Sequence, residues 1–179
     1  MRSALLLVRK DAAAGEARAV ADAKALARAA PDTQRLQVCI AVDRPLAYIY
    51  AWGDRLASHD GAKRLAPIAE WPGASAGAQA PYHYVVATDI EPGWEDELHT
   101  WYQDEHMPGL AAVPGNVQCA RLRSEDGAPR FHACYDLVSP QVLERPEWLA
   151  VRHTEWSSRV RPHFRNTVRV MFRTVLDDR

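Results

Sequence analysis

One order of secondary-structure elements recurs in the two halves of this chain, and this recurrence limits its possible folds more than any other feature. Residues 82–179 predict a strand, a helix, two strands, a helix and a final strand. Residues 1–71 predict a strand, a helix, two strands and a helix. Between them, "PGASAGAQAP" at residues 72–81 is small, polar and bounded by prolines, as is typical of a linker. The repeated order predicts an internal structural duplication.

In residues 1–71, short segments predict the secondary structure. "SALLLVRK" has strand length, and the alanine-rich "GEARAVADAKALARAA" is a helix former that stops at Pro31. "QRLQVCIAV" and "LAYIYAW" are β-rich and separated by "DRP", which predicts a hairpin. "DRLASHDGAKRLAPIAEW" has helical spacing interrupted by Gly61 and Pro67, and we interpret it as a second helix.

The second half is clearer. "YHYVVATDI" predicts a strand, and "WEDELHTWYQDEH" predicts a helix that ends at Pro108. "NVQCARLRS" and "PRFHACYDLV" predict a hairpin across "EDGA". "SPQVLERPEWLAVRHTEWSSRV" predicts a helix kinked or restarted at Pro146, and "NTVRVMFRTVL" predicts a closing strand.

These elements predict an α+β fold of tandem ferredoxin-like βαββαβ units. Each unit forms a four-stranded antiparallel sheet with helices on one face and an open apolar face on the other. Packing the two sheets face to face would bury both open faces. One continuous α+β sheet is the alternative.

Composition limits the partners. The 179 residues are 47% apolar and 25% charged, and 22 basic side chains nearly balance 23 acidic ones. No overall field therefore attracts nucleic acid or an anionic membrane, and a small molecule or a protein is the expected partner.

The cysteines and the N-terminus predict a cytoplasmic protein. Cys39, Cys119 and Cys134 are odd in number and lack CxxC spacing, which argues against a disulfide framework or a zinc knuckle. The apolar run "ALLLV" before Arg9 is too short for a signal sequence or a membrane span.

The stretch "WYQDEHMPG" contains the main anomaly. At about 100° per residue, Trp94, Leu98 and Trp101 define the apolar arc of the helix, and Glu105 falls near its middle. A carboxylate there would be desolvated, which suits a general acid or base or the partner of a histidine. Alternatively, fraying at Met107, the residue before a proline, swings Glu105 to solvent.

Three further groups project beside this arc. Tyr102 and His106 are four residues apart, and His99 precedes His106 by seven. A phenol and two imidazoles beside a carboxylate can pass a proton at neutral pH. The alternative for His106 is a cation favoured by the dipole at the helix C-terminus.

The strands offer candidates on both of their faces. Arg121 and Tyr84 are candidate binding residues, but the sequence does not show which face of their strands meets the helices. Four pairs of residues each share one face of their strand: Arg121 with Arg123, His132 with Asp136, Phe131 with Tyr135, and Tyr82 with Tyr84. His83, between Tyr82 and Tyr84, points to the opposite face.

"RVRPHFRN" has the composition of an anion-binding corner, with Arg159, Arg161, His163 and Arg165. The alternative is a solvated turn with surface ion pairs.

Other chemistries lack their motifs. The sequence has no GxGxxG or GxxxxGK[ST] after a strand and no HExxH. We predict no metal site and no cofactor; a haem would need an axial ligand such as His106 or His163, and nothing else in the sequence specifies one.

The segments "WYQDEHMPGLAAVPG", "ARLRS", "RFHACYDLVSPQVL" and "RVRPHFRNTVR" resemble the dimeric α/β-barrel superfamily, in particular its EthD-like and uncharacterised bacterial members with a WYxxEHxP helix. The resemblance spans Tyr82 to Phe172, and the first half matches only in its order of elements. It implies ferredoxin-like units joined through their sheets into a barrel, with a small-molecule pocket between sheet and helices. The resemblance also allows a homodimer. The superfamily includes cofactor-free isomerases, cyclases, lyases and monooxygenases as well as haem enzymes, so the fold does not determine the reaction.

The first hypothesis is a cofactor-independent lyase, isomerase or cyclase acting on a small aromatic or polyketide-like molecule. His106, Glu105 and Tyr102 are its predicted catalytic residues. The alternatives are a ligand-binding or accessory protein without turnover, and an EthD-like oxidative protein, either a monooxygenase or a haem protein. The predicted substrate-binding residues are His99, Trp101, Trp94, Arg121, Tyr84 and His163.

Overall fold

The structure is a computed structural model that describes residues 4–53 and 61–178. The strands are β1 Ala4–Asp11, β2 Thr33–Ala41, β3 Leu46–Gly53, β4 Ala62–Pro72, β5 Tyr82–Ile90, β6 Asn116–Ser124, β7 Phe131–Leu137 and β8 Phe164–Asp177. The α-helices are α1 Glu16–Ala29, α2 Glu95–Trp101, α3 Met107–Ala111, α4 Pro146–Arg152 and α5 Glu155–Val160. A π-helical turn spans Tyr102–His106, and 3₁₀ turns span Pro140–Glu144 and Arg161–His163.

All eight described strands form one closed antiparallel barrel, in the order β1-β3-β2-β8-β5-β7-β6-β4. The predicted α+β class is confirmed. Both predicted hairpins are confirmed as well, because β2 pairs with β3 and β6 pairs with β7, each antiparallel. A helix begins at Pro146 as predicted, but it ends at Arg152, and α5 begins separately at Glu155.

The prediction of a second helix in the first half is wrong for its described part. Residues 62–72 are strand β4, which pairs with β1 on one side and β6 on the other and so closes the barrel. Pro67 interrupts the register with β6, and such an irregularity is where a strand tolerates proline. The rest of the predicted helix, residues 54–60, lies outside the described residues.

The predicted end of a helix at Pro108 is also wrong. Helix α2 runs through the π-helical turn into α3, which continues to Ala111. A proline ring normally clashes with the carbonyl four residues earlier in an α-helix. The wider π-helical turn directly before Pro108 relieves that clash.

The segment predicted as a linker is held against the second half. The N–H of Ala74 donates to the carbonyl of Ala111 at 2.7 Å, and the N–H of Ser75 donates to the carbonyl of Asn116 at 2.9 Å. Gly73 approaches the same strand so closely that an added Cβ would lie 2.0 Å from the Asn116 oxygen. Only glycine fits there.

Three apolar layers result from this arrangement. One fills the barrel interior, a second lies between the outer surface and α1, and a third lies beneath α2 to α5. Phe131 and Tyr135 belong to the layer under the helices, whereas Cys134 between them faces the interior. The three cysteines are buried free thiols. No helix within residues 4–53 and 61–178 is long and apolar enough to span a membrane.

Candidate active site

A cleft lies between the outer surface of β5, β7 and β8 and the helices of the second half. Aromatic side chains form most of its wall, and three arginines add positive charge. The lining residues are Tyr84, Val86, Trp101, Tyr102, His106, Leu110, Tyr135, Leu143, Trp148, Arg152, Arg161, Phe164 and Arg169. A mostly apolar wall with a few charged groups is typical of a small-molecule site.

The π-helical turn decides which polar side chain faces the cleft. The N–H of Met107 donates to the carbonyl of Tyr102, five residues earlier. This spacing brings the fifth residue after Trp101, rather than the fourth, over its ring. The imidazole of His106 therefore stacks on Trp101, with ring centroids 4.1 Å apart.

His106 is buried and neutral. Its side chain is among those that line the cleft, and Nδ1 has no hydrogen-bond partner among the described residues. Burial lowers the pKa of His106 to about 3, and the nearby charges of Arg161 and Arg152 act in the same direction. A neutral imidazole has one unprotonated ring nitrogen, which can accept a proton.

Glu105 does not line this cleft. Its Oε1 accepts hydrogen bonds from the Trp101 indole at 3.2 Å and from the Thr154 hydroxyl at 2.6 Å. Thr154 also caps α5 by accepting from the N–H of Ser157. The half-buried carboxylate thus joins the α2 helix to the start of α5, and it holds the indole on which His106 stacks.

Tyr102 lines the cleft beside His106, and their rings meet edge to face at 5.5 Å. Burial raises the pKa of Tyr102 to about 12, although the guanidinium of Arg121 lies 4.2 Å from its ring and opposes the shift. The phenol therefore stays protonated at neutral pH and serves as a hydrogen-bond donor.

Arg121 and His99 lie behind Tyr102, outside the set of cleft-lining residues. The buried Arg121 places Nη1 3.2 Å from Nδ1 of His99, and its Nη2 has no partner among the described residues. His99 also contacts Glu95 at 3.7 Å, so these two predicted binding residues support the wall from behind.

The other predicted binding residues divide into two groups. Tyr84 and Trp101 line the cleft, and Tyr84 stacks on Tyr135 with centroids 6.0 Å apart. Trp94 and His163 do not line it; they stack on each other at 3.5 Å, and His163 pairs with Glu91.

Three arginines converge on the cleft from separate elements. Arg152 ends α4, Arg161 begins a 3₁₀ turn and Arg169 lies on β8. Within the described parts of the chain, none of them forms an ion pair. Burial lowers the pKa of Arg161, and repulsion from the other two adds to this effect. An anionic ligand would relieve that repulsion.

The sequence pointed to only one of these arginines. In "RVRPHFRN", Arg161 reaches the cleft, whereas Arg159 pairs with Glu97 and Arg165 pairs with Glu91. Arg152 and Arg169 are far from this motif in sequence, and no spacing rule predicts their convergence. The described residues contain no group of three or more His, Cys, Asp or Glu side chains placed to hold a metal ion.

No protein-family model and no curated protein matches this chain. Solved structures resemble it over nearly its whole length. An anthrone oxidase-like protein has a TM-score of 0.68 at 15% identity, covering 97% of this chain and 91% of its own. A protein from Lactobacillus acidophilus NCFM that is described as a monooxygenase has a TM-score of 0.66 at 9% identity. The match covers 98% of this chain and 95% of that protein.

A third similar structure is a ferredoxin fold protein related to antibiotic biosynthesis monooxygenases, from Listeria monocytogenes 4b F2365. Its TM-score is 0.59 at 8% identity, covering 96% of this chain and 95% of its own. The chain has a ferredoxin-like fold. At these identities the likeness establishes the fold alone, and the narrower resemblance to EthD-like proteins stays a prediction.

Proposed function

We propose that this protein is a cofactor-free oxidative enzyme that removes a proton from an anionic aromatic substrate and lets the resulting carbanion react with O₂. The neutral imidazole of His106, buried at the wall of a cleft that is also lined by three arginines, carries the proposal. The similar monooxygenase and anthrone oxidase-like structures support the oxidative alternative over the lyase, isomerase or cyclase that the sequence favoured.

We also infer that residues 1–71 and 82–179 are two ferredoxin-like units. In the closed barrel the strand order of the first half is β4-β1-β3-β2, and that of the second is β6-β7-β5-β8. The two orders are equivalent, because each places the first strand of its half between the third and the fourth. The unit with the aromatic helix supplies the cleft, and the other unit supplies the remaining half of the barrel.

Substrate binding itself would prepare His106 as a base. The charges of Arg161 and Arg152 hold the pKa of His106 down after burial. A carboxylate or phenolate bound between these arginines cancels part of that effect and raises the pKa toward the range useful for proton transfer. The free enzyme therefore keeps a neutral base, and the complex has a stronger one.

The reaction balances with O₂ as the only co-substrate. His106 takes one proton from a methylene activated by aromatic rings, and the carbanion adds to O₂ to form a peroxide at that carbon. His106 returns its proton to the peroxide, which loses water as the carbonyl forms. The methylene carbon gives up four electrons to O₂, so one ketone and one water result. The Tyr102 hydroxyl is placed to donate to the developing oxyanion.

Oxygen uptake with anthrone-2-carboxylate tests this function. We expect enzyme-dependent O₂ consumption with matching formation of the quinone, and slower turnover of uncharged anthrone. A proton-transfer enzyme of the isomerase type would instead convert its substrate without consuming O₂. A Soret band in the purified protein would contradict the cofactor-free part of the proposal.

Substitution of the cleft arginines tests the substrate class. We expect Arg161→Gln and Arg152→Gln each to weaken binding of 2-naphthoate by about tenfold or more, because each removes a charge-assisted hydrogen bond or ion contact. Fluorescence titration measures the affinity.

Arg159→Gln is the matched control, because Arg159 lies in the same motif but pairs with Glu97 at the surface. It should leave the affinity unchanged. An equal loss in all three variants would point to a general charge effect and not to a site.

A further inference from the structure

A second pocket lies inside one end of the barrel. We call it the barrel-mouth cavity; it is formed where β2, β5 and β6 begin and where β3, β4 and β7 end. It lies on the opposite face of the sheet from the cleft, because successive residues of a strand point to opposite faces. The polar residues that matter below are Gln37, Tyr50, His83 and Asp136.

A buried chain of hydrogen bonds crosses this cavity. His83 Nδ1 lies 2.7 Å from Asp136 Oδ1, and His83 Nε2 lies 3.2 Å from the Tyr50 oxygen. Burial opposes a charge on the imidazole, but hydrogen bonds to Asp136 and Cys134 outweigh it and raise the pKa of His83 to about 9. At neutral pH both ring nitrogens therefore carry protons and both donate.

In this protonation state His83 does not accept the hydrogen of the Tyr50 hydroxyl. Its oxygen accepts from His83 Nε2, so its own O–H must donate elsewhere. Gln37 lies directly opposite Tyr50 in the pairing of β2 with β3. The Gln37 side chain is buried, and its Nε2 has no acceptor among the described residues. Both donors line the cavity, and neither has an acceptor among the described residues.

The charges around these donors exclude an anion. His83 is compensated by Asp136, and Arg35 is compensated by Asp177 at 2.9 Å. Glu70 also lines the cavity and adds negative charge. The cleft, which is lined by three arginines, has the opposite character. An uncharged ligand with a strong acceptor, such as a carbonyl oxygen, fits the cavity best.

We propose that the barrel-mouth cavity binds a small uncharged carbonyl compound, such as a lactone or an amide, whose oxygen accepts from the Tyr50 hydroxyl and from Nε2 of Gln37. Leu5 and Leu122 supply apolar wall for the rest of the molecule. This site is independent of the proposed oxidative function and of the cleft.

Calorimetric titration with coumarin tests the site, with 2H-chromene, which lacks the carbonyl, as the matched ligand. We expect coumarin to bind, and chromene to bind at least about fivefold more weakly. Gln37→Leu should weaken coumarin binding about five- to tenfold, the loss expected for one neutral hydrogen bond. The same variant should melt at or above the temperature of the wild type, since it removes an unpaired buried amide.

Two further variants complete the experiment. Tyr50→Phe should weaken coumarin binding to a similar degree, and Arg161→Gln, in the cleft, should not change it. No coumarin binding up to millimolar concentration, equal binding of chromene, or unchanged affinity in both Gln37→Leu and Tyr50→Phe would overturn the proposal. Loss of affinity in Arg161→Gln alone would place coumarin in the cleft and overturn it as well.

Discussion

His106→Ala is expected to lower kcat/KM for oxygen-dependent turnover by at least about 100-fold, the usual contribution of a positioned general base. No other described imidazole lines the cleft, and Glu105 is engaged by Trp101 and Thr154, so no neighbour can replace the lost base. The assay is O₂ uptake with anthrone-2-carboxylate. His106→Gln, which keeps most of the side-chain volume, should lose activity to the same extent.

His153→Ala is the control for this prediction. His153 is exposed at the end of α4 and does not line the cleft, so its removal should leave kcat/KM within about twofold of the wild type. If His106→Gln were folded and fully active, the base would have to be another group.

Asp136→Asn is expected to cost about 3 kcal/mol of unfolding free energy at pH 7, because it removes the carboxylate that holds a buried imidazolium. His83 and Asp136 are both nearly inaccessible to solvent, so little screening weakens their interaction. Urea denaturation measures the change. Asp43→Asn, at an exposed pair with Arg44, should leave the unfolding free energy nearly unchanged.

The same pair predicts a pH dependence of stability. The pKa of His83 is about 9 in the folded protein and near 6.5 in an unfolded chain, so the folded state binds more protons between these values. Stability from this pair is therefore complete below pH 6.5 and is lost as the pH rises through 9. In Asp136→Asn the decline between pH 6.5 and 9 should be much smaller; an unchanged decline would contradict the assignment.

Acid acts on other groups. The pKa values of His106 and His132 are lowered by burial to about 3 and about 4. As the pH falls below 6.5, both imidazoles bind a proton in the unfolded chain but remain neutral in the folded protein. The unfolded state therefore binds more protons, and the free energy of unfolding falls.

Local patterns in the sequence predicted what local physics determines. Alternating apolar residues and short turns were enough for the β2–β3 and β6–β7 hairpins, and Pro146 was enough for the start of α4. Strand β4 was missed because its apolar spacing also fits a helix. Its assignment depends on pairing with β1 and β6, which are distant in sequence.

The candidate site shows the same division. Of the apolar arc that the helical wheel predicted, Leu98 and Trp101 are fully buried, whereas Trp94 precedes α2 and is half-buried against His163. The wheel placed Glu105 on the buried face because its angles are those of a uniform α-helix. In the structure the π-helical turn places His106, and not Glu105, over the Trp101 ring at the cleft. Neither the convergence of Arg152 with Arg169 nor the direction of His83 into the barrel follows from local spacing, since both depend on how the barrel closes.

The protonation of His106 tests the account most directly. In protein labelled with ¹⁵N-histidine, with His106→Gln used to assign its signal, the ring nitrogens can be followed from pH 8 to pH 4.5. We predict that free His106 stays neutral over this range and that its pKa rises when 2-naphthoate is bound. A titration of the free protein near pH 6.5, or the same pKa with and without the bound anion, would contradict a buried base controlled by the cleft arginines.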